Sequence, residues 1–222
     1  MCIRDSTSLA FTQKWINDIS INYDAVDVLT MKVGSTYQLN ENVNLFFIND
    51  QNTNYTKIYQ LRKLNKLTRK LIKNNNYTHC FAHMAPMQHL VAKFYLIQKN
   101  IKTTLWFTHS GPKFGIKWLI LWFSSLLANN IVTASKHSFP FRFKKVKSIG
   151  HGINFDNFFI ERKTFQLKNI SILSRVSKSK NIENTIDNII KCKNFENINI
   201  DVIGGTLNID DESYLNKLFI KY

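Results

Sequence analysis

Residues 169–181 read Asn-Ile-Ser-Ile-Leu-Ser-Arg-Val-Ser-Lys-Ser-Lys-Asn. The apolar run at 170–174 predicts a buried strand, and the residues after it predict a loop that carries Arg175, Lys178 and Lys180. A helix-like segment follows at 182–192. Free N–H groups and the helix dipole favour anions at a helix N-terminus, so this strand, cationic loop and helix start together predict a phosphate-binding site.

Glycine pairs lie on both sides of this stretch. Upstream, residues 148–154 read Ser-Ile-Gly-His-Gly-Ile-Asn and contain Gly150 and Gly152. Downstream, an apolar strand-like run ends in Gly204 and Gly205. A glycine after a strand lets bare backbone approach a ligand. For the upstream pair, a tight turn that needs glycine for backbone reasons is an equally good interpretation.

Short apolar runs alternate with longer helical patterns over the rest of the chain. Strands are predicted at 25–30, 43–48, 77–84, 103–108, 131–134 and 146–149, and helices at 7–21, 57–73, 87–98, 117–129 and 211–222. The helix at 57–73 carries an apolar stripe of Ile58, Leu61, Leu64, Leu67 and Leu71. This alternation predicts an α/β protein with parallel strands.

In their order and spacing, these motifs resemble the inter-domain region of retaining, nucleotide-sugar-dependent glycosyltransferases of family 4. The resemblance covers nearly everything after Thr7. It implies the GT-B fold, with a nearly complete N-terminal Rossmann-like domain and the start of a second one. It also implies transfer of a sugar from a nucleotide-sugar donor to a glycan or lipid-linked acceptor with retention of anomeric configuration. The expected process is synthesis of a cell-surface polysaccharide or glycolipid.

The resemblance assigns roles to individual residues. Arg175 and Lys180, five positions apart, would hold the donor diphosphate, while Gly150, Gly152, Gly204 and Gly205 would bring bare backbone to the ligand. The chain departs from the family at three positions. Ser174 replaces the usual glycine, Lys178 replaces a common proline, and His151 stands where asparagine or another polar residue is frequent. None of these changes removes a cation, and fixed cations stabilise charge on a departing phosphate. A solvated basic loop is the plainer alternative.

Two histidines end predicted strands of the first domain. His109 follows the strand at 103–108, and the resemblance gives it a catalytic place beside the reacting sugar and the acceptor. His83 ends the preceding strand and would lie on the acceptor side. A structural role is the alternative for each lone histidine. The two lack a third carboxylate or thiolate ligand, so we predict no metal site and no cofactor beyond the nucleotide-sugar substrate.

The net charge of +15, from 30 basic and 15 acidic residues, is unevenly distributed. No Asp or Glu occurs between Asp50 and Asp156, and all six histidines lie in that interval. Such a surface attracts phosphate-bearing partners, including an anionic membrane, a lipid-linked acceptor or nucleic acid. The alternatives to a transferase are therefore a non-catalytic basic protein that binds nucleic acid or anionic membrane, or a sugar-nucleotide epimerase. We find no nucleic-acid-reading motif and expect no nucleic-acid partner.

The apolar run at 118–128 contains Trp118 and Trp122 and is too short to span a bilayer. Our main interpretation is a buried helix that covers the sheet. Partial insertion into a membrane interface is the alternative, and it suits the two tryptophans and the nearby Lys113 and Lys117. We expect a cytoplasmic protein that can bind peripherally to the inner face of the cytoplasmic membrane. We expect Cys80 and Cys192 to be free thiols.

Both ends of the chain have unusual features. Residues 1–6 resemble the in-frame translation of a transposon-end sequencing adapter, so we expect a library scar there. A second Rossmann-like domain needs more strand–helix units than follow residue 169. We therefore expect a fragment truncated at both ends and inactive alone. Its predicted parts are an acceptor-side domain at 7–160 without its first strand, a linker at 161–168, and the start of a donor-binding domain at 169–222.

Overall fold

The structure is a computed structural model that describes residues 11–31, 39–49, 55–109, 111, 113–152, 169–192 and 198–222. The chain divides into two compact units, residues 1–153 and 154–222. The adapter-like residues 1–6 and the predicted linker at 161–168 lie outside the described residues. Each unit is built from parallel strands and helices, which is the α/β class that the sequence predicts.

The first unit contains two parallel sheets. Helix α1 (Phe11–Ser20) precedes a pair of strands, β1 (Val26–Thr30) and β2 (Val43–Phe47). A second sheet has the order β3-β4-β5-β6. Its strands and the helices between them are α2 (Lys57–Asn74), β3 (His79–His83), α3 (Pro86–Gln98), β4 (Lys102–Trp106), α4 (Ile116–Leu127), β5 (Asn130–Thr133) and β6 (Val146–Ser148). The predicted elements are thus present, with boundaries that differ by a few residues.

Crossover helices place apolar side chains against the four-stranded sheet. Its core contains Leu105 and Ile131 from neighbouring strands and Leu121 from α4, all fully or almost fully buried. α2 begins at a threonine cap, because Thr56 Oγ1 accepts a hydrogen bond from the Tyr59 N–H at 3.4 Å. The predicted stripe of α2 is correct at Leu64 and Leu71, which are buried, but Ile58 near the start of the helix is exposed.

A polar contact connects the β1–β2 pair to the segment before β3. The Tyr77 hydroxyl donates to Asp27 Oδ2, and Asn44 Nδ2 donates to Asp27 Oδ1 at 2.9 Å. Burial, followed by the bond to Asp27, raises the pKa of Tyr77 to about 12. The phenol therefore stays protonated and keeps donating at neutral pH.

Cys80 and Cys192 are both free thiols. Cys80 lies near the start of β3, and burial raises the pKa of its thiol to about 11.

The second unit contains one parallel pair of strands. β7 (Asn169–Leu173) lies beside β8 (Asn199–Ile203), and α5 (Ile182–Lys191) and α6 (Ile209–Lys221) follow the two strands in turn. A small core joins them, formed by Val176, Ile182, Ile186, Tyr214 and Leu218. This core includes a residue of the predicted cationic loop, which fixes the loop to the body of the unit.

The structure corrects our main interpretation of the apolar run that contains Trp118 and Trp122, which was a buried helix that covers the sheet. α4 is a helix that packs on the sheet, but its buried residues are only Leu121, Ser124 and Ser125. The two serines can be buried because their hydroxyls are hydrogen-bonded. Ser125 Oγ donates to the Leu121 carbonyl at 2.6 Å, and Ser124 Oγ lies 2.8 Å from His89 Nδ1. α4 is therefore a half-exposed helix and not a buried one.

Candidate functional site

The loop after β7 carries the three predicted cations. Val176 and Ser177 in its centre are buried, while Arg175, Lys178 and Lys180 are exposed. The Val176 N–H donates to the Gly205 carbonyl at 3.0 Å, which ties the loop to the segment after β8. A single 3₁₀ turn (Lys178–Lys180) leads into α5. The buried Val176 thus holds a short basic segment at the carboxyl end of β7, and open α/β sheets bind ligands at the carboxyl ends of their strands.

Arg175 forms an ion pair with Asp211. Arg175 Nε lies 3.8 Å from Asp211 Oδ2, and the two side chains are 43% and 10% exposed. Asp211 is itself held, because Oδ2 accepts from the Leu207 N–H at 3.1 Å and its own N–H donates to Asn208 Oδ1 at 2.8 Å. Asn208 is therefore the N-cap of α6, and the Asp211 carboxylate binds the N–H of the residue before that cap. A partly exposed ion pair at this distance adds little stability.

The remaining nitrogens of the cations are available to a ligand. Within the described part of the chain, no hydrogen bond engages the terminal nitrogens of Arg175, and neither Lys178 nor Lys180 forms an ion pair. A guanidinium with free terminal nitrogens binds phosphate oxygens in a bidentate manner, and an ammonium binds them as a point charge. The loop can therefore bind a phosphorylated ligand through its side chains.

The start of α5 offers less to an anion than the sequence suggested. The Glu183 N–H, in the first turn, already donates to the buried Tyr214 hydroxyl at 3.0 Å. The Glu183 carboxylate adds negative charge at the same end and binds Lys221 Nζ at 2.8 Å. Asn181, with φ of 54°, precedes the helix without a side-chain cap. Of the predicted anion-binding features, the side-chain cations are therefore the stronger contributors.

The two downstream glycines have different surroundings. A Cβ on Gly204 would overlap the Ser174 carbonyl, whereas a Cβ on Gly205 would meet no atom within 4 Å. Gly204 thus has a steric reason to be glycine, because the backbones after β7 and β8 approach closely there. Gly205 faces open space. Contact of either glycine with a donor stays a prediction.

Upstream, Gly150 adopts a backbone that favours glycine. Its φ is 78°, and its N–H donates to the Ala134 carbonyl at 3.1 Å. The turn after β6 is therefore closed by a glycine in the left-handed region. Gly152 is exposed, and a Cβ there would meet no atom within 4 Å. Positive φ explains Gly150 in structural terms, and among the described residues no atom would contact a Cβ at either position.

His109 lies where the sequence predicts it, in the segment after β4. Its exposed ring meets the buried Phe107 edge-on, with ring centroids 6.3 Å apart. The Phe107 N–H donates to the Val132 carbonyl at 3.1 Å, which extends the pairing of β4 with β5 beyond the strand. The histidine is thus an exposed side chain on a fixed base at the carboxyl edge of the sheet.

His83 is the last residue of β3 and is half-buried. Its ring meets Trp15 of α1 edge-on at 5.5 Å. Burial lowers the pKa of His83 to about 4, so the imidazole is neutral at pH 7 and can accept a hydrogen bond. No feature of the sequence marked Trp15 for this contact, because a tryptophan on a helical stripe is usually a core residue.

Tryptophan rings connect His83 to His151. Trp15 also meets Trp106, the last residue of β4, at 5.2 Å, and Trp106 meets His151 at 5.9 Å. His83 and Trp106 are register partners on neighbouring strands. An aromatic chain therefore links His83, at the end of β3, to His151 in the glycine turn after β6. Aromatic faces beside polar groups are typical of sites that bind small organic molecules.

Neither a metal cluster nor a membrane span occurs in the part of the chain that the structure describes. Those residues contain no group of three His, Cys, Asp or Glu side chains placed to hold a metal ion. None of the helices described is both long and apolar enough to cross a bilayer.

Comparison with known proteins identifies the fold. No family model and no curated protein matches the chain. Two solved structures of Anabaena Alr3699/HepE are similar to it. The structure in complex with UDP is 14% identical, with a TM-score of 0.59 over 81% of this chain and 51% of that one. The structure in complex with UDP and glucose is also 14% identical, with a TM-score of 0.65 over 99% of this chain and 64% of that one.

The likeness confirms the predicted fold class. The chain is a mixed α/β protein with parallel sheets of the Rossmann-like GT-B type. It spans between about half and two thirds of the length of these neighbours, 51% and 64%. At this sequence identity the similarity concerns the fold alone.

Proposed function

We propose that this chain is part of a glycosyltransferase that moves a sugar from a nucleotide-sugar donor to a glycan or lipid-linked acceptor. The observation that carries the proposal is the anchored loop at 174–181, with Arg175 ion-paired to Asp211 and two further exposed lysines at the end of β7. The similarity in fold to HepE, which was solved with UDP and with glucose, supports the same class of ligand.

The loop would supply the electrostatics of the transfer. Negative charge grows on the nucleoside diphosphate as the bond to the sugar breaks. Fixed cations that meet that charge lower the barrier without reorganising during the reaction. In this proposal Arg175 and Lys180 bind the diphosphate, and Asp211 remains the ion-pair partner of Arg175. The two side chains take the charge that a divalent metal carries in other transferases, so we expect binding and turnover without added metal.

The first unit would supply the acceptor side. His109 is exposed at the end of β4 and would act on the acceptor hydroxyl or the reacting sugar. His83, with a neutral ring, would accept a hydrogen bond from an acceptor hydroxyl. We propose retention of anomeric configuration, and a role in polysaccharide or glycolipid synthesis at the cytoplasmic side of a membrane.

The donor part is tested by calorimetric titration of UDP into the 222-residue chain. We expect Arg175→Ala and Lys180→Ala each to weaken binding about tenfold or more, because each removes a charge-assisted hydrogen bond to phosphate. Lys191→Ala is the matched control. It removes one exposed lysine from the same unit, at the end of α5, and should leave affinity unchanged. A chelator should have no effect.

Two results would contradict the donor assignment: equal weakening by all three variants, or no UDP binding to the unchanged chain together with binding of single-stranded DNA. The acceptor and stereochemical parts are tested in a longer protein that contains this chain. There, NMR of the product should show the anomeric configuration of the donor, and His109→Ala should abolish most turnover. An inverted product would remove the retaining mechanism.

A further inference from the structure

The outer face of α4 carries exposed apolar side chains. Five of its side chains are between 41% and 75% exposed. They are Ile116, Leu119, Phe123, Leu126 and Leu127. Their spacing of three or four residues places them on one side of the helix. Phe114, just before the helix, is 88% exposed. No other described residue covers this side, so a row of large apolar groups faces solvent.

The helix is held with its polar groups inward. Ser124 and Ser125 are buried and hydrogen-bonded to His89 and to the Leu121 carbonyl. Trp118 stacks parallel to Trp122 at 6.4 Å, which fixes the two half-buried rings on the helix flank. This is the reverse of an ordinary water-facing helix, which buries leucine and exposes serine. A large exposed apolar patch in a folded unit marks an interaction surface.

Cations lie at both ends of the helix. Lys113 is exposed just before its start, whereas Lys117 is exposed in its first turn on the side that carries Leu121, opposite the apolar face. At its end, Lys145 Nζ donates to the Leu126 and Ala128 carbonyls at 2.7 and 2.6 Å, and its neighbour Lys144 is exposed. No acidic residue occurs at 51–155, so nothing in this stretch of sequence offsets the charge.

The same charge extends over the adjoining helices. α3 packs against both α4 and α2, so the three helices lie side by side. The exposed side of α2 carries Arg62, Lys66, Arg69, Lys70 and Lys73. A second copy of this chain would bring like charges together across a symmetric contact, which disfavours self-association. An anionic bilayer offers the complementary chemistry: acyl chains for the apolar groups and lipid phosphates for the lysines.

We propose that α4 binds in the plane of an anionic membrane surface. Leu119 and Phe123 enter the boundary between headgroups and acyl chains, and Lys113 and Lys144 contact lipid phosphates. The face lies on α4 and the proposed diphosphate loop lies in the other unit, so membrane binding can fail or succeed independently of UDP binding.

The experiment is co-sedimentation of the 222-residue chain with phosphatidylcholine vesicles, with and without phosphatidylglycerol. We expect binding to the anionic vesicles only, weakened by salt. Leu119→Glu/Phe123→Glu should reduce the partition coefficient about tenfold or more, since it removes the inserted apolar groups. Phe219→Glu is the matched control, because Phe219 is 76% exposed on α6 in the other unit, and it should bind normally.

A second variant tests the charge without touching the apolar face. Lys113→Gln/Lys144→Gln should weaken binding to anionic vesicles about tenfold or more. Near-UV circular dichroism of the tryptophans checks that each variant is folded. Equal binding of all variants, binding to neutral vesicles that matches binding to anionic ones, or no vesicle binding would overturn the proposal. If, instead of binding vesicles, the chain forms a dimer that Leu119→Glu/Phe123→Glu dissociates, the face is a protein contact and the proposal is wrong.

Discussion

Gly204 offers a sharp test of how the donor loop is supported. A Cβ added there would overlap the Ser174 carbonyl oxygen, lie 2.7 Å from the carbonyl carbon and 3.4 Å from the Arg175 nitrogen. All three are backbone atoms, so no change of rotamer can relieve the overlap. Gly204→Ala therefore forces the chain after β8 away from the chain after β7.

The magnitude follows from what this separation breaks. Two hydrogen bonds cross at this point: Ser174 N–H to the Ile203 carbonyl at 3.1 Å and Val176 N–H to the Gly205 carbonyl at 3.0 Å. Their loss costs about 1 kcal/mol each. Overpacking adds about 1–3 kcal/mol. The total of about 3–5 kcal/mol is comparable to the whole stability of a small domain, about 5 kcal/mol at the lower end. We expect Gly204→Ala to unfold much of the second unit.

Hydrogen exchange read by mass spectrometry resolves the effect by unit. All four tryptophans lie before residue 153, so their fluorescence reports the first unit alone. In Gly204→Ala, amides of β7 and β8 should lose protection while the tryptophan signal stays unchanged. Gly205→Ala is the control. Its Cβ meets no atom within 4 Å, so the change in stability should stay within about 1 kcal/mol. Equal protection in the two variants would refute the steric argument.

Two further predictions concern basic groups of the first unit, the buried His89 and the half-buried Lys145. Burial, aided by Lys93 and Lys145, lowers the pKa of His89 to about 4. In the unfolded chain, the His89 imidazole binds a proton near pH 6.5. The free energy of unfolding should therefore fall by about 3 kcal/mol as the pH drops from about 6.5 to 4. In urea titrations, His89→Asn should lose this pH-dependent contribution, while its amide can still bond Ser124. Lys145→Met removes the two bonds to the last carbonyls of α4 and should lower the free energy of unfolding by about 2 kcal/mol, whereas Lys144→Met, at an exposed neighbour, should have no effect.

The donor loop shows how far local sequence reaches. An apolar run followed by Arg175, Lys178 and Lys180 was sufficient to predict a strand and a basic loop, because strand and turn preferences are local. It did not predict Asp211 as the partner of Arg175, since that contact joins residues 36 positions apart and depends on the pairing of β7 with β8. The helix predicted at 211–222 is present as α6, and Asp210, Asp211 and Glu212 lie in its first turn. Which of these acids contacts Arg175 depends on the tertiary structure.

α4 shows the complementary limit. Its composition predicted a helix, and its apolar content favoured burial on average, but the face that meets the sheet is set by the position of the whole helix on its strands. Ser124 and Ser125 occupy the inner face because His89 and the Leu121 carbonyl satisfy their hydroxyls, and a satisfied buried hydroxyl costs little. Once these serines are inside, the helical period obliges Leu119 and Phe123 to be outside. Hydrophobicity alone cannot decide between the two orientations, because the choice also depends on a hydrogen-bond partner of Ser124, His89, that is 35 residues away in sequence. The exposed face is therefore a consequence of how the first unit packs, and that packing is what makes a membrane surface the partner to test.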